Sequence, residues 1–485
     1  VQEVANLFAA AGGLKGKAQR LTDQSSRRSL TPGDKSNLIA RMRGLVRTTT
    51  SDARAAEPSA DRPAPSFDTL EEYKSLTKHR NVARDYQVAD PFFREQDGRA
   101  GATTWIDGRE VLNFSSYDYL GLNHVPSVAA AAKAAIDQYG TSVSASRLVA
   151  GERRILRDLE RKLADVYEAE DAVVFVSGHA TNVGVISTLM RPQDLVLYDS
   201  LCHSSILVGT KLSGAVRRAF PHNDLAALER MLEDAAADHE RVLIVVEGLY
   251  SMDGDLPDLK RLIDIKRRYG AWLMVDEAHS LGVLGATGRG LAEHAGVDPR
   301  EVDIWMGTLS KTLAGAGGYI AGSASLIELL KLGVSGFIYS VGLSPPVAGA
   351  AIESLAVMAR EPERVARLNR NGKLFLETAR AAGLDTGLGE GYAVCPVLIG
   401  DSLRAAKLCE ILLKEGLNVL PIIYPAVPMQ AARLRFFITS EHTEDQILTA
   451  IATTKRELDK LVAQGFGLSM VARLLASGQK PWSEA

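Results

Sequence analysis

The chain has 485 residues, 46% of them hydrophobic and 24% charged, with a formal net charge of -3, so it calls for more than one packed unit and offers no whole-chain electrostatic argument for a nucleic-acid or membrane partner. Its cysteines, Cys202, Cys395 and Cys409, are far apart and odd in number, which excludes a disulfide framework and a CxxC metal site. No apolar run approaches the roughly 18 to 20 residues of a membrane helix, and the first residues lack the order of a signal peptide, so a soluble, cytoplasmic protein is expected.

Residues 1–66 hold eleven Lys and Arg against six Asp and Glu. Thr31-Pro32-Gly33-Asp34 reads as a helix start, and Leu38, Ile39, Met42, Leu45 and Val46 recur at helical spacing. Residues 48–66 are rich in Thr, Ala, Pro and charge, the composition of a linker. A disordered tail and a docking element for a neighbouring domain are both open readings. The start at Val1 rather than Met suggests a piece of something longer. Residues 67–111 are read as an N-terminal arm.

Over 112–345 short apolar runs alternate with helical stretches. Strands are expected at Val111–Phe114, Ala172–Val176, Leu195–Tyr198, Val242–Glu247, Trp272–Asp276 and Ile304–Met306, with helices such as Ile155–Tyr167, Leu225–Glu233 and Leu259–Tyr269 between them. This rhythm predicts an α/β fold with a mainly parallel sheet, whose functional residues gather beyond the carboxyl ends of the strands. Residues 346–485 read as a smaller α+β domain, with strands near Val394–Leu398, Leu417–Pro421 and Leu434–Ile438 and a helix at Glu444–Val462.

Several strand ends carry chemistry-bearing residues. After Val176 comes Ser177-Gly178-His179-Ala180-Thr181-Asn182, a glycine turn opening a helix, where free amides can hold a phosphate or merely turn the chain. Asp199-Ser200-Leu201-Cys202-His203-Ser204-Ser205 sets a histidine after a strand, which alone is as consistent with a core or surface residue. In Glu247-Gly248-Leu249-Tyr250-Ser251-Met252-Asp253-Gly254-Asp255 the Asp-Gly pair is also simple turn chemistry. Asp276-Glu277-Ala278-His279 ends an apolar strand with an acid that can serve a protonated ring nitrogen or cap a helix, and no third residue at ligand spacing supports a metal. In Gly307-Thr308-Leu309-Ser310-Lys311-Thr312 a lysine emerges from a buried strand among small residues. Burial there would lower its pKa toward the neutral amine that Schiff-base chemistry needs.

Taken together, Gly178–Asn182, His203, Asp276–His279 and Lys311 on one α/β scaffold resemble the fold-type I enzymes that use pyridoxal 5'-phosphate. More narrowly, NFSSYDYLGL at 113–122, SRLVAG at 146–151, EGLYSMDGD at 247–255, DEAHSLGVLG at 276–285 and RLRFFITSEHT at 433–443 resemble the α-oxoamine synthases, a group that includes serine palmitoyltransferase and the oxononanoate synthase of biotin formation. The resemblance implies a large cofactor-binding domain and a smaller C-terminal domain. It implies a decarboxylating Claisen-type condensation of an α-amino acid with an acyl thioester, giving an α-amino ketone.

It also implies roles for single residues. Lys311 would carry the cofactor in Schiff-base linkage and then act as base on the substrate Cα. Asp276 would pair with the pyridine nitrogen. His279 and Ser251 would lie near the phenolic oxygen, and His203 would stack on the ring and orient substrate. Ser177, Gly178, His179 and Thr308 would hold the phosphate, joined by the partner subunit's Ser340 in a homodimer. Arg435 would grip the amino-acid carboxylate by a two-pronged hydrogen bond, with Arg433, two residues away on the same strand face, as the alternative. Tyr117 and Ser146 would border the substrate. Tyr117 stands where several bacterial relatives carry Asn, and the loop Gly140–Ser146 lacks the family's usual glycines, so glycine, alanine and serine all remain candidate substrates. The thioester would be on coenzyme A or on an acyl carrier protein, and the basic N-terminal flank favours a synthase domain of a polyketide assembly line. An aminotransferase or C–C lyase of the same fold is the alternative enzyme. A non-catalytic partner subunit is disfavoured because Lys311 is present. His222, before the helix that Asn223 or Asp224 can cap, is read as structural.

Overall fold

The computed structural model describes residues 64–85, 88–424, 426–428 and 430–471. The helix expected after Thr31 and the linker up to residue 63 lie outside them. The chain divides into two compact units, 1–77 and 78–485. In the first, Phe67–Thr69 forms a single 3-10 turn, after which the helix Glu71–Asp85 begins.

The second unit opens with a hairpin, β1 (Thr103–Ile106) and β2 (Arg109–Asn113). A large sheet follows, made of β3 (Asp171–Phe175), β4 (Leu195–Asp199), β5 (Val216–Phe220), β6 (Val242–Glu247), β7 (Trp272–Asp276), β8 (Ile304–Thr308) and β9 (Gly318–Gly322). Its seven strands run in the order β3-β9-β8-β7-β6-β4-β5. β5, β4, β6, β7 and β8 are parallel; β9 lies antiparallel between β3 and β8. Helices cover the sheet, so every residue of β6, β8 and β9 is buried. That is why β6 reads as an unbroken apolar run rather than an alternating one.

Two strands of the large sheet, like β1 of the hairpin, were not expected from the sequence. β5 is VRRAF, a mostly exposed edge strand with one buried residue, Phe220. β9 is GYIAG, whose glycines are a poor strand signal. They are needed for proximity: a Cβ on Gly318 would stand 2.4 Å from Thr181 Oγ1 and 2.7 Å from Gly178 Cα.

The C-terminal part adds β10 (Val394–Gly400), β11 (Leu417–Asn418), β12 (Leu420–Ile422) and β13 (Ala432–Phe437). The strand expected at Leu417–Pro421 is two strands in two sheets. β11 runs parallel to β2, whereas β12 is the edge of the antiparallel sheet β10-β13-β12. An edge suits Pro421, which has no N–H to give a ladder. Thr443 starts the closing helix Glu444–Ala463 with a capping box completed by Gln446. Among the described residues no helix is long and apolar enough to cross a membrane.

Candidate active site

The carboxyl ends of β3, β4, β6, β7 and β8 converge, and β13 faces them. From β7, Asp276 is buried; its Oδ2 accepts a hydrogen bond from Asn182 Nδ2 at 2.8 Å and its Oδ1 one from Ala278 N at 3.0 Å. Glu247, paired with Asp276 in register on β6, accepts from Ser251 N at 2.8 Å and leaves its Oε1 without a partner. Burial, reinforced by the Asp276 carboxylate, pushes Glu247 up to about 8. Both effects favour the protonated form of Glu247 beside Asp276.

Lys311 follows β8 and is half-buried, its Nζ 5.7 Å from the centre of the Tyr117 ring. Burial brings its pKa down to about 8, with Arg435 acting in the same direction against Asp276 and Glu247. Tyr117 also packs edge-on against Phe437 at 4.7 Å and against His279 at 6.2 Å.

His279 is buried, and burial, then Lys311 and Arg435, hold its imidazole well below the ordinary value. Its Nδ1 lies 2.7 Å from Tyr119 Oη. Burial pushes the Tyr119 phenol well above its usual pKa, so it remains a donor there and leaves the ring proton on Nε2. Tyr119 was not singled out in the sequence; only its place two residues after Tyr117 in NFSSYDYLGL hints at it.

His203 precedes the helix Ser204–Ser213, and its Nδ1 sits 2.7 Å from Ser205 Oγ. Burial lowers its pKa, opposed by Asp276 and assisted by Lys311. His179 stands edge-on to it at 6.1 Å.

The helix Gly178–Leu189 starts beside Thr308. Ser177 caps it, accepting from Ala180 N, and a Cβ on Gly178 would approach Thr308 Oγ1 to 2.9 Å. Thr308 Oγ1 is also 2.6 Å from Ser310 Oγ. Free amides at a helix start with clustered hydroxyls form a cradle for a phosphate.

Arg433 and Arg435 share a face of β13 but differ in what they touch. Arg433 is paired with Asp253 at 2.7 Å and also donates to the Met252 carbonyl. Arg435 donates through Nη1 to the Ser251 carbonyl at 2.8 Å and stacks over Phe437 at 4.6 Å, while its buried Nε has no partner.

Other sequence candidates have structural partners. Ser146 Oγ donates to the Ile338 carbonyl at 2.5 Å. Arg147 of SRLVAG pairs with Glu160 and Glu152. His222 bridges Asp199 and Asp255 at 2.9 and 2.8 Å. Burial pulls its pKa down, but those hydrogen bonds push it up to about 10. The cap of the following helix is Asp224, while Asn223 holds Asp255. Ser340 follows the helix Ser335–Ile338 between exposed Tyr339 and Val341, and among the described residues no hydrogen bond, ion pair or ring contact joins it to the cluster. A cavity of about 490 Å³ lies elsewhere, at the amino-terminal ends of the parallel strands near Trp272, Asp303 and Gly322.

The cluster fits pyridoxal phosphate: a carboxylate for a ring nitrogen, a depressed lysine, a phosphate cradle, and an unpartnered arginine N–H for a substrate anion. Residues 109–453 match the Aminotransferase class I and II family. The 8-amino-7-oxononanoate synthase of Symbiobacterium thermophilum is 41% identical over 73% of this chain and 90% of its own length. That of Geobacter sulfurreducens is 42% identical over 74% of this chain and 92% of its own. A structure of serine palmitoyltransferase from S. paucimobilis, with bound pyridoxal phosphate and myriocin, superposes with a TM-score of 0.78 at 30% identity, covering 82% of this chain and 100% of that one. The chain belongs to the α-oxoamine synthases, pyridoxal-phosphate-dependent C-acyltransferases of the aminotransferase class I and II family that condense an α-amino acid with an acyl thioester and release carbon dioxide.

Proposed function

We propose that this chain joins glycine, alanine or serine to an acyl thioester, with Lys311, Asp276, His279 and His203 as its catalytic residues. The observation that carries this reading is the convergence on Lys311 of Asp276, His279 and Arg435, the last with an N–H still to be used. Bound pyridoxal phosphate supplies the electron sink for the substrate carbanion.

The protein's own groups do the rest. The cradle of Ser177, Gly178, His179 and Thr308 would hold the phosphate, and Asp276 would keep a proton on the ring nitrogen. His279 Nε2–H and Ser251 would face the phenolic oxygen. Arg435 grips the amino-acid carboxylate, which Arg433 is less suited to do because Asp253 already neutralises it. Lys311 Nζ, once free, takes the proton from the substrate Cα; its depressed pKa suits a base working near neutrality. His203 Nε2–H donates to the acyl carbonyl. Tyr117 and Phe437 wall the substrate side and exclude water, and Ser146 lies at the border of that pocket.

Residues 112–345 are the cofactor-binding domain and 346–485 the small one; the large sheet lies within 171–322 and the β10-β13-β12 sheet within 394–437. The enzyme is a homodimer in which the partner subunit's Ser340 meets the phosphate, a reading favoured by the exposed neighbours Tyr339 and Val341 and by the lack, among the described residues, of links from Ser340 to the cluster. The thioester is carried by coenzyme A or by an acyl carrier protein, and transfer rates from the two donors distinguish them.

The test is the visible spectrum of the protein with pyridoxal phosphate, before and after glycine, alanine or serine is added singly. One amino acid shifts the band, and with a thioester it yields carbon dioxide and an α-amino ketone. Formation of a keto acid and pyridoxamine phosphate instead would make the chain an aminotransferase.

A further inference from the structure

We propose that Asn182 and Ser205 are a positioning pair that locks His203 in its Nε2–H tautomer and ties it to Asp276; the catalytic consequence rests on the reading of His203 given above. Asn182 lies in the first turns of the helix Gly178–Leu189 and is 1% exposed; Ser205, at the start of the helix Ser204–Ser213, is fully buried. The Asn182 amide uses both its hydrogens, one on Asp276 Oδ2 at 2.8 Å and one on Ser205 Oγ at 3.0 Å. Its orientation is dictated by chemistry, since the flipped amide would set its oxygen against the Asp276 carboxylate. The unpartnered, buried Asn182 Oδ1 is what this orientation leaves.

Directionality then propagates. Ser205 Oγ accepts from Asn182, so its own hydrogen points at His203 Nδ1, 2.7 Å away. Ser205 N–H points at the same nitrogen, at 3.3 Å. A backbone N–H can only donate, so Nδ1 is an acceptor, and a neutral imidazole with Nδ1 as acceptor carries its proton on Nε2. The chain of bonds runs from the Asp276 carboxylate through Asn182 and Ser205 to His203. His279 shows the same device in Tyr119 Oη at its Nδ1, so His203 and His279 each present an Nε2–H.

The test is long-range proton–nitrogen NMR of the full chain labelled in histidine nitrogen, with and without pyridoxal phosphate, at a pH where His203 is neutral. His203 resonances are assigned with His203→Gln. Wild-type protein shows His203 as a single Nε2–H tautomer in both states. Ser205→Ala removes the closer of the two donors on Nδ1 and keeps the backbone N–H at 3.3 Å, so a minor Nδ1–H population appears, and kcat falls about fivefold to tenfold, the effect of one net hydrogen bond, while KM for the amino acid moves less than twofold. Asn182→Ala gives a smaller shift in the same direction. An Nδ1–H tautomer in the wild type, which needs no variant to fold, overturns the proposal, as do His203 nitrogen shifts in Ser205→Ala that are indistinguishable from wild type. Full turnover in His203→Gln would instead remove the catalytic reading of His203 while leaving the tautomer lock standing.

Discussion

Lys311 offers a quantitative prediction. Burial brings its amine down to about 8 from the ordinary lysine value of 10.5. At pH 7 an ordinary lysine is neutral in about one molecule in 3000, whereas one titrating near 8 is neutral in about one in 11, a gain of roughly 300-fold in nucleophile. In the protein freed of cofactor, the rate at which Lys311 captures pyridoxal phosphate should therefore rise tenfold per pH unit up to about 8 and then level off. Asp276 and Glu247 oppose the shift, and Arg435 assists it. Removing the opposing charge in Asp276→Asn should move the midpoint lower, and Arg435→Gln should move it higher. Stopped-flow absorbance from pH 6 to 10 measures the capture rate, and mass spectrometry of Lys311 after brief amine labelling provides a cofactor-free check. A midpoint above 10, or one unmoved by both substitutions, refutes the argument that burial and these charges set the amine.

Other outcomes follow from the same geometry. Arg435→Lys should raise KM for the amino acid at least tenfold with little change in Tm, because a two-pronged donor becomes a point charge. Arg433→Lys should act mainly on Tm through the lost Asp253 pairing. Gly178→Ala sets a methyl 2.9 Å from Thr308 Oγ1 and should weaken cofactor binding about tenfold at a cost near 1–3 kcal/mol, read by equilibrium dialysis. His222 is raised from 6.5 to about 10, so its contribution is complete below about pH 6.5 and is lost as pH rises through about 10. Its upper bound is about 4–5 kcal/mol at 1.36 kcal/mol per pKa unit. His222→Gln should erase most of that pH dependence in urea unfolding, and an equally steep loss in the variant would refute the assignment.

The sequence carried the parallel sheet because β6 and β8 are buried on both faces, and a strand with no wet face must be apolar throughout. It also carried the strand-end motifs, since Lys311, Asp276, His203 and His279 are consecutive punctuation in a βα pattern and their order needs no coordinates to read. Periodicity says nothing about strands such as β5, which is mostly exposed, or β9, whose glycines serve contact with the helix at Gly178 rather than strand propensity.

Only the tertiary structure separated Arg435 from Arg433. Two residues apart on one face, they are equivalent along the strand, and what distinguishes them is Asp253, about 180 positions away in the chain. The same holds for Tyr119 on His279 and for Asn182 and Ser205 on His203: each is an ordinary polar residue in its own segment. Hydrogen-bond direction and the protonation of a buried carboxyl such as Glu247 depend on which groups face each other once water is gone. Sequence alone determines the residue types and their local elements; the pairing of distant segments decides which of those groups are spent on the fold and which remain for chemistry.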